Sequence, residues 1–128
     1  MNNLKDYDNF FIPTDNLDAA KTFYSKTLGL PTKFDFSDAG MVAFKVGDQE
    51  PAIILQDVAK IPNAKPAIWF TVEDVRATYK DLQEKDVVFL SEPYEIPTGL
   101  AAQFTDPFGN RLGITDYSAQ ANEKLNTD

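Results

Sequence analysis

Apolar positions along this chain recur with two periods. Residues 7–13 are rich in aromatics and alternate, with Asn9, Phe11 and Pro13 on one side and Phe10 and Ile12 on the other. That pattern predicts a strand. Leu17, Ala20, Phe23 or Tyr24, and Leu28 then follow at helical spacing and predict a helix over 17–27. Thr14-Asp15-Asn16 supplies cap chemistry, Asp18 suits the positive end of the helix dipole, Gly29 is a natural residue just past the end, and Pro31 blocks continuation. From Thr32 the period returns to two. Residues 33–36, 41–46 and 52–55 read as strands, joined by turns at 37–40 and 47–51. Residues 57–65, with Pro62 and Asn63 ahead of Pro66, read as a linker.

The pattern then repeats. Ala67-Ile68-Trp69-Phe70-Thr71-Val72-Glu73-Asp74-Val75 matches the run from Asn9 to Leu17 position by position. A second helix is predicted over 75–85, capped by Glu73-Asp74 and carrying Val75, Tyr79 and Leu82 on one face. Strands follow at 87–90, 94–96, 100–104 and 111–114, with breaks at Glu92-Pro93 and Pro97-Thr98-Gly99. The repeat predicts an internal duplication, with unit 1 over about 5–57 and unit 2 over about 65–117 of a single domain. One such unit cannot bury both faces of its sheet, whereas two can share an incurved sheet with helices outside. Residues 1–6 are polar and read as frayed, and 118–128 as a polar tail or loosely docked helix.

Between the last two strands lies Asp106-Pro107-Phe108-Gly109-Asn110. Asp can accept from its own downstream backbone, Pro107 presets φ, and Gly109 supplies a left-handed residue, so a tight turn is predicted. Alternation on either side assigns Phe10, Ile12, Ile68, Phe70, Val72, Phe104, Leu112 and Ile114 to the helix-packed face. The other face takes Asn9, Phe11, Ala67, Trp69, Gln103, Arg111 and Gly113. Half aromatic, with a few amide and charged groups, it suits either a small organic ligand or a partner subunit.

Composition narrows the chemistry. With 20 Asp and Glu against 12 Lys and Arg, the formal charge is −8, which argues against nucleic acid as a partner. It suits solubility, and it would attract a cationic ligand. The chain has no His and no Cys. It therefore has no His-based zinc site, Ser–His triad, thiolate site or disulfide. No stretch reads as a membrane span or a leader, and a cytoplasmic location is expected.

The run from Asn9 through Leu30, taken with the DPFGN turn, resembles the vicinal-oxygen-chelate superfamily of glyoxalases, extradiol dioxygenases and bleomycin- or fosfomycin-resistance proteins. The resemblance implies an α+β fold of two β-α-β-β-β units and a homodimer. In metal-dependent members the ligands, usually His, Gln or Glu, come from the first strand of each unit and from the strand that ends it. Carried over, these positions are Asn9, Ala67, Gly113, and Ile54 or Leu55. Three ligands are needed for a divalent ion, and at most Asn9 has a donor atom. Gln56, Asp57 and Gln103 are the other polar groups nearby.

The expected function is therefore a metal-free, small-molecule-binding protein of the bleomycin-resistance kind, with no cofactor. Its ligand would be planar or cationic, a drug among the possibilities. Trp69, Phe11 and Tyr94 would stack on it, while Asn9, Gln103 and Arg111 would orient it. An atypical metal-dependent lyase or dioxygenase is the alternative, and a degenerate fold used for protein association is a third. For acid–base work without metal the candidates are Glu92, Glu95, Asp57 and Tyr94. No P-loop, dinucleotide fingerprint or nucleophile elbow occurs.

Overall fold

The computed structural model describes residues 4–119. The expected tail beyond residue 119 lies outside them. The chain divides into two compact units, one formed by Asp8–Ala67 and the other by the chain from Ile68 onward with the short segment ahead of Asp8. Each carries one β-α-β-β-β pattern, and the fold is α+β. No helix among the described residues is long and apolar enough to cross a membrane.

In the unit formed by Asp8–Ala67, strand β1 (Asp6–Thr14) leads into helix α1 (Leu17–Thr22). Asn16 caps α1, its side-chain oxygen accepting from the Ala19 N–H at 3.0 Å. The predicted helix over 17–27 changes character after Thr22, where Phe23–Thr27 widens into a π-helical turn. There the Leu28 N–H reaches the Phe23 carbonyl, and the Ser25 hydroxyl donates to the Lys21 carbonyl. Gly29 closes the segment at φ 73°. The widening also settles the Phe23–Tyr24 ambiguity. Tyr24 stacks on Phe44 with ring centroids 5.6 Å apart, while Phe23 is 48% exposed.

Strands β2 (Thr32–Phe36), β3 (Met41–Lys45) and β4 (Ala52–Asp57) complete this unit in the order β2-β3-β4-β1, with β1 parallel to β4. Leu17, Val42, Phe44 and Leu55 form its helix-side core, joined by Ile12, Ala20, Tyr24 and Leu30. Full burial of a side chain such as Leu55 or Phe44 contributes about 1.5–3 kcal/mol. The Lys21 ammonium joins α1 to β2 through Asp35 at 2.9 Å. The Ser37 hydroxyl and this ammonium hold the Asp35 carboxyl down to about 2.

The other unit contains β5 (Ala67–Thr71), whose first residue closes the preceding unit, and α2 (Val75–Glu84). Next come β6 (Val88–Phe89), β7 (Tyr94–Ile96), β8 (Gly99–Thr105) and β9 (Arg111–Thr115). The order is β5-β9-β8-β6, and β7 also pairs with β8. Because β6 meets the Phe104–Thr105 end of β8 and β7 meets its Gly99–Ala101 end, the two cover one edge as an interrupted strand. The core of this unit is Val72, Val75, Ala102, Phe104 and Ile114, with Phe70, Leu82, Phe89, Leu100 and Leu112 packed against it. Ile68 departs from the expected core: alternation gives its direction, but it lies at the strand's start and is 40% exposed. The strand expected over 87–90 shortens to two residues, and Val88 is 65% exposed.

Asp74 caps α2 by accepting from the Ala77 N–H at 3.1 Å. A second carboxylate, Asp116 just past β9, accepts from the backbone N–H groups of Val75 (3.0 Å), Leu100 (3.1 Å) and Ser118 (2.9 Å). It thereby ties the start of α2 to β8. Burial opposes its charge, yet the three N–H donors outweigh that and hold the carboxyl below the ordinary range. Since the folded value lies below the unfolded value of about 3.9, the stabilisation is present above pH ~4 and is lost as pH falls through the folded value. Asp116→Asn is expected to lower stability by about 1–3 kcal/mol at neutral pH, read from urea unfolding. The gap between variant and parent should narrow as pH drops below ~4.

Candidate functional site

The Asp106 carboxylate builds the turn that positions the site. One of its oxygens accepts from the Phe108 and Asn110 N–H groups at 2.8 and 2.9 Å, and the other from the Asn110 amide at 2.8 Å. These donors, Asn110 first, keep the carboxyl charged well below its ordinary range. Gly109 takes φ 87°, a conformation open to glycine. With the turn closed, Thr105 faces Arg111, Gln103 faces Gly113, and Ala101 faces Thr115 across the β8–β9 ladder. Tyr94 faces Ala101 on the opposite edge of β8.

These pairings put Tyr94, Gln103, Gly113 and Arg111 on one face of the unit, away from α2. Trp69 joins them. A Cβ built on Gly113 would lie 2.3 Å from Cδ2 and Cε2 of the Trp69 indole and 2.7 Å from its Cε3. The indole therefore lies directly over the glycine backbone, and half of the ring system occupies the volume any side chain at 113 would need. The Gln103 amide donates to the Tyr94 hydroxyl at 2.8 Å, which locks the two polar side chains together. Trp69, Tyr94, Gln103 and Arg111 are all half-buried.

In the other unit, the face away from α1 is apolar. Ala43, Ala52 and Ile54 form its buried centre, with Phe11, Phe34 and Met41 packed around them. Phe34 and Phe36 stack at 4.8 Å, and Phe36 stays 57% exposed. Phe11 belongs to this face as expected. Ile54 was one of the two positions the resemblance offered, whereas Phe34 and Met41 were not expected on this face, although the alternation in Thr32–Phe36 and Met41–Lys45 carries the signal. Asn9 lies at the end of the same face, but its amide oxygen accepts from the Ala52 N–H at 3.0 Å and its nitrogen donates to Asp8 at 3.3 Å. It acts as a clasp between β1 and β4.

The positions at which the family resemblance would put a metal carry few donor atoms. The ambiguity between Ile54 and Leu55 resolves to Ile54, since Leu55 packs under α1. Of Asn9, Ile54, Ala67 and Gly113, only Asn9 has a side-chain oxygen, and β4 holds it. The indole fills the space beside Gly113. These residues do not fit a divalent ion, and among the described residues no group of three or more Asp and Glu is placed to hold one.

The acid–base candidates do not gather around Tyr94. Asp57 accepts from the Ala59 N–H at 3.0 Å and shapes the turn after β4. Glu95, paired with Leu100, lies on the opposite face from Tyr94. There it lines an open depression of about 420 Å³ with Arg76, Leu100 and Ser118. Glu92 is exposed in the break between β6 and β7.

The profile of the Glyoxalase/Bleomycin resistance protein/Dioxygenase superfamily matches residues 7–114, and the chain belongs to that superfamily. It is 31% identical over 114 residues to the uncharacterized protein YurT of Bacillus subtilis (strain 168), covering 76% of this chain and 87% of that one. It is 29% identical over 106 residues to the anthracycline biosynthesis protein DnrV of Streptomyces peucetius, covering 80% of this chain. The chain spans only 38% of DnrV. Among solved structures, methylmalonyl-CoA epimerase of Streptomyces coelicolor in complex with 2-nitronate-propionyl-CoA is similar. Its TM-score is 0.64 at 23% identity, over 87% of this chain and 96% of that one. The Mycobacterium tuberculosis epimerase gives a TM-score of 0.67 at 17% identity, over 89% of both chains. These structural likenesses show the fold.

The contact between Trp69 and Gly113 is open to direct test. Gly113→Ala should destabilise the protein by about 1–3 kcal/mol and change the near-ultraviolet circular dichroism of the single Trp. In a Trp69→Ala background the same substitution should have little effect, giving a clear coupling in a double-mutant cycle.

Proposed function

We propose that this protein is a metal-free binder of small planar organic molecules, with Trp69 as its stacking surface and Tyr94, Gln103 and Arg111 as its polar contacts. The observation that carries the reading is the indole seated on Gly113. Where a metalloenzyme of the superfamily would project a ligand, this chain has no side chain and packs an aromatic ring over the gap. Trp combines a large contact area with only two side-chain torsions to order, which suits a recognition surface. Further support comes from DnrV, a relative named for the biosynthesis of anthracyclines, which are fused-ring aromatic compounds. A drug-like aromatic is thus a fitting ligand. The reading includes a cytoplasmic homodimer, for which the exposed Phe36 and Phe108 offer apolar surface.

Thermal-shift titration separates this from the metalloenzyme reading. Zn, Ni, Mn and Fe(II) at one equivalent should leave the melting temperature unchanged. A planar aromatic present at a hundred times its Kd should raise it by roughly 10 °C, and Trp69→Ala should abolish the rise. A specific shift with one metal at one equivalent would overturn the proposal and favour an atypical lyase or dioxygenase.

A further inference from the structure

Although the chain as a whole carries −8, acidic side chains are missing from the described strand positions of the face that holds Trp69. The described strand positions on that face run from Trp69 on β5 across β9 and β8 to Tyr94 on β7 and Val88 on β6. None is Asp or Glu, and one is Arg. Glu95 lies on the opposite parity, paired with Leu100. The Asp106 carboxylate at the end of the hairpin is engaged by three N–H donors of its own turn. A cation stacked on the indole would leave water beside described strand positions that carry no carboxylate.

The Tyr94–Gln103 pair adds a direction. A phenol proton lies in the ring plane and has two orientations. The Gln103 amide donates to the Tyr94 oxygen at 2.8 Å and so takes up one of them. The Tyr94 proton is left to donate along the other, making this side chain a donor rather than an acceptor. Its position on β7 puts it in the row through Ala101 and Thr115, next to the row through Gln103 and Gly113 on which Trp69 lies, and its hydroxyl reaches that second row at the Gln103 amide. The Arg111 guanidinium, two residues from Gly113 on the same face, is also donor-only.

We propose, resting on the small-molecule reading above, that the ligand is a neutral or anionic fused-ring aromatic with an acceptor oxygen on its edge, an aryl ketone or aromatic carboxylate. Its ring stacks on Trp69 and its oxygen accepts from the Tyr94 hydroxyl. This selects one branch of the planar-or-cationic expectation and rejects the other. The acidic surface elsewhere on the chain then serves solubility rather than ligand capture.

Two probes of one ring shape test this: acridone-4-carboxylate, which carries acceptor oxygens, and N-methylacridinium, a cation with none. Binding is read by quenching of Trp69, the single Trp, and by calorimetry. Acridone-4-carboxylate should quench saturably and bind at least tenfold tighter than N-methylacridinium. Tyr94→Phe should weaken it about tenfold, the loss of one hydrogen bond, and should weaken the cation's binding far less. Equal or tighter binding of the cation, or a Tyr94→Phe variant that binds acridone-4-carboxylate like the parent, would overturn the ligand assignment and leave the binding site standing. Failure of both probes to quench saturably would overturn the site reading together with this one.

Discussion

One carboxylate sets the geometry on which the candidate site depends. Asp106 gathers three N–H donors within its own five-residue turn and so fixes where β8 ends and β9 begins. In a two-residue periodicity that choice is decisive, because a slip of one position exchanges every inward and outward side chain. With this register Gly113 faces Gln103, and the volume above Gly113 is available to Trp69. With the neighbouring register Leu112 or Ile114 would occupy that place, and the indole would have no seat. Asp116 acts at the other end of β9, where it holds the start of α2 and the Leu100 N–H of β8 against one another. Between these two acids the hairpin has little freedom to shift.

The two units share a connectivity and differ in what they present. In the Asp8–Ala67 unit both faces of the sheet are apolar, one packed under α1 and the other formed by Phe11, Phe34, Met41, Ala43 and Ile54. In the other unit only the α2 face is a hydrocarbon core, and the opposite face mixes indole, phenol, amide and guanidinium. Each unit keeps what its topology requires, the helix-packed face, and is free to differ on the remaining one.

Much of this arrangement was legible in the residues. Alternation alone placed Trp69, Gln103, Arg111 and Gly113 together, because a strand's period leaves only two choices per residue. Cap and turn chemistry at Asn16, Asp74 and Asp106 likewise follows from side chains that bond within a few positions of themselves. What escaped was either depth or long-range contact. Ile68 has the right parity for the core, but parity carries no information about where along the strand the core begins. Asn9 reads as a ligand contact, and its partner, Ala52, is brought to it only by the parallel pairing of β1 with β4. The conversion of α1 into a π-helical turn after Thr22 has no counterpart in the apolar spacing.

Gly113 shows most clearly how a residue's meaning depends on its neighbour. As a sequence position it stands where the resemblance would put a ligand, and having no side chain there explains nothing by itself. Glycine within a strand is unfavourable by itself, since it has no side chain to pack and loses the most freedom on folding. Its presence on β9 therefore calls for a compensating contact, and the indole of Trp69 at 2.3 Å from the missing Cβ supplies one. A ring held against backbone on one side is already ordered before any ligand arrives, so the entropy of fixing it need not be met at binding. A metal site and a stacking surface are thus exclusive uses of the same few cubic ångströms: a donor side chain at 113 would expel the ring, and the ring excludes the donor. The pairing of glycine at 113 with tryptophan at 69 fills that volume with the ring.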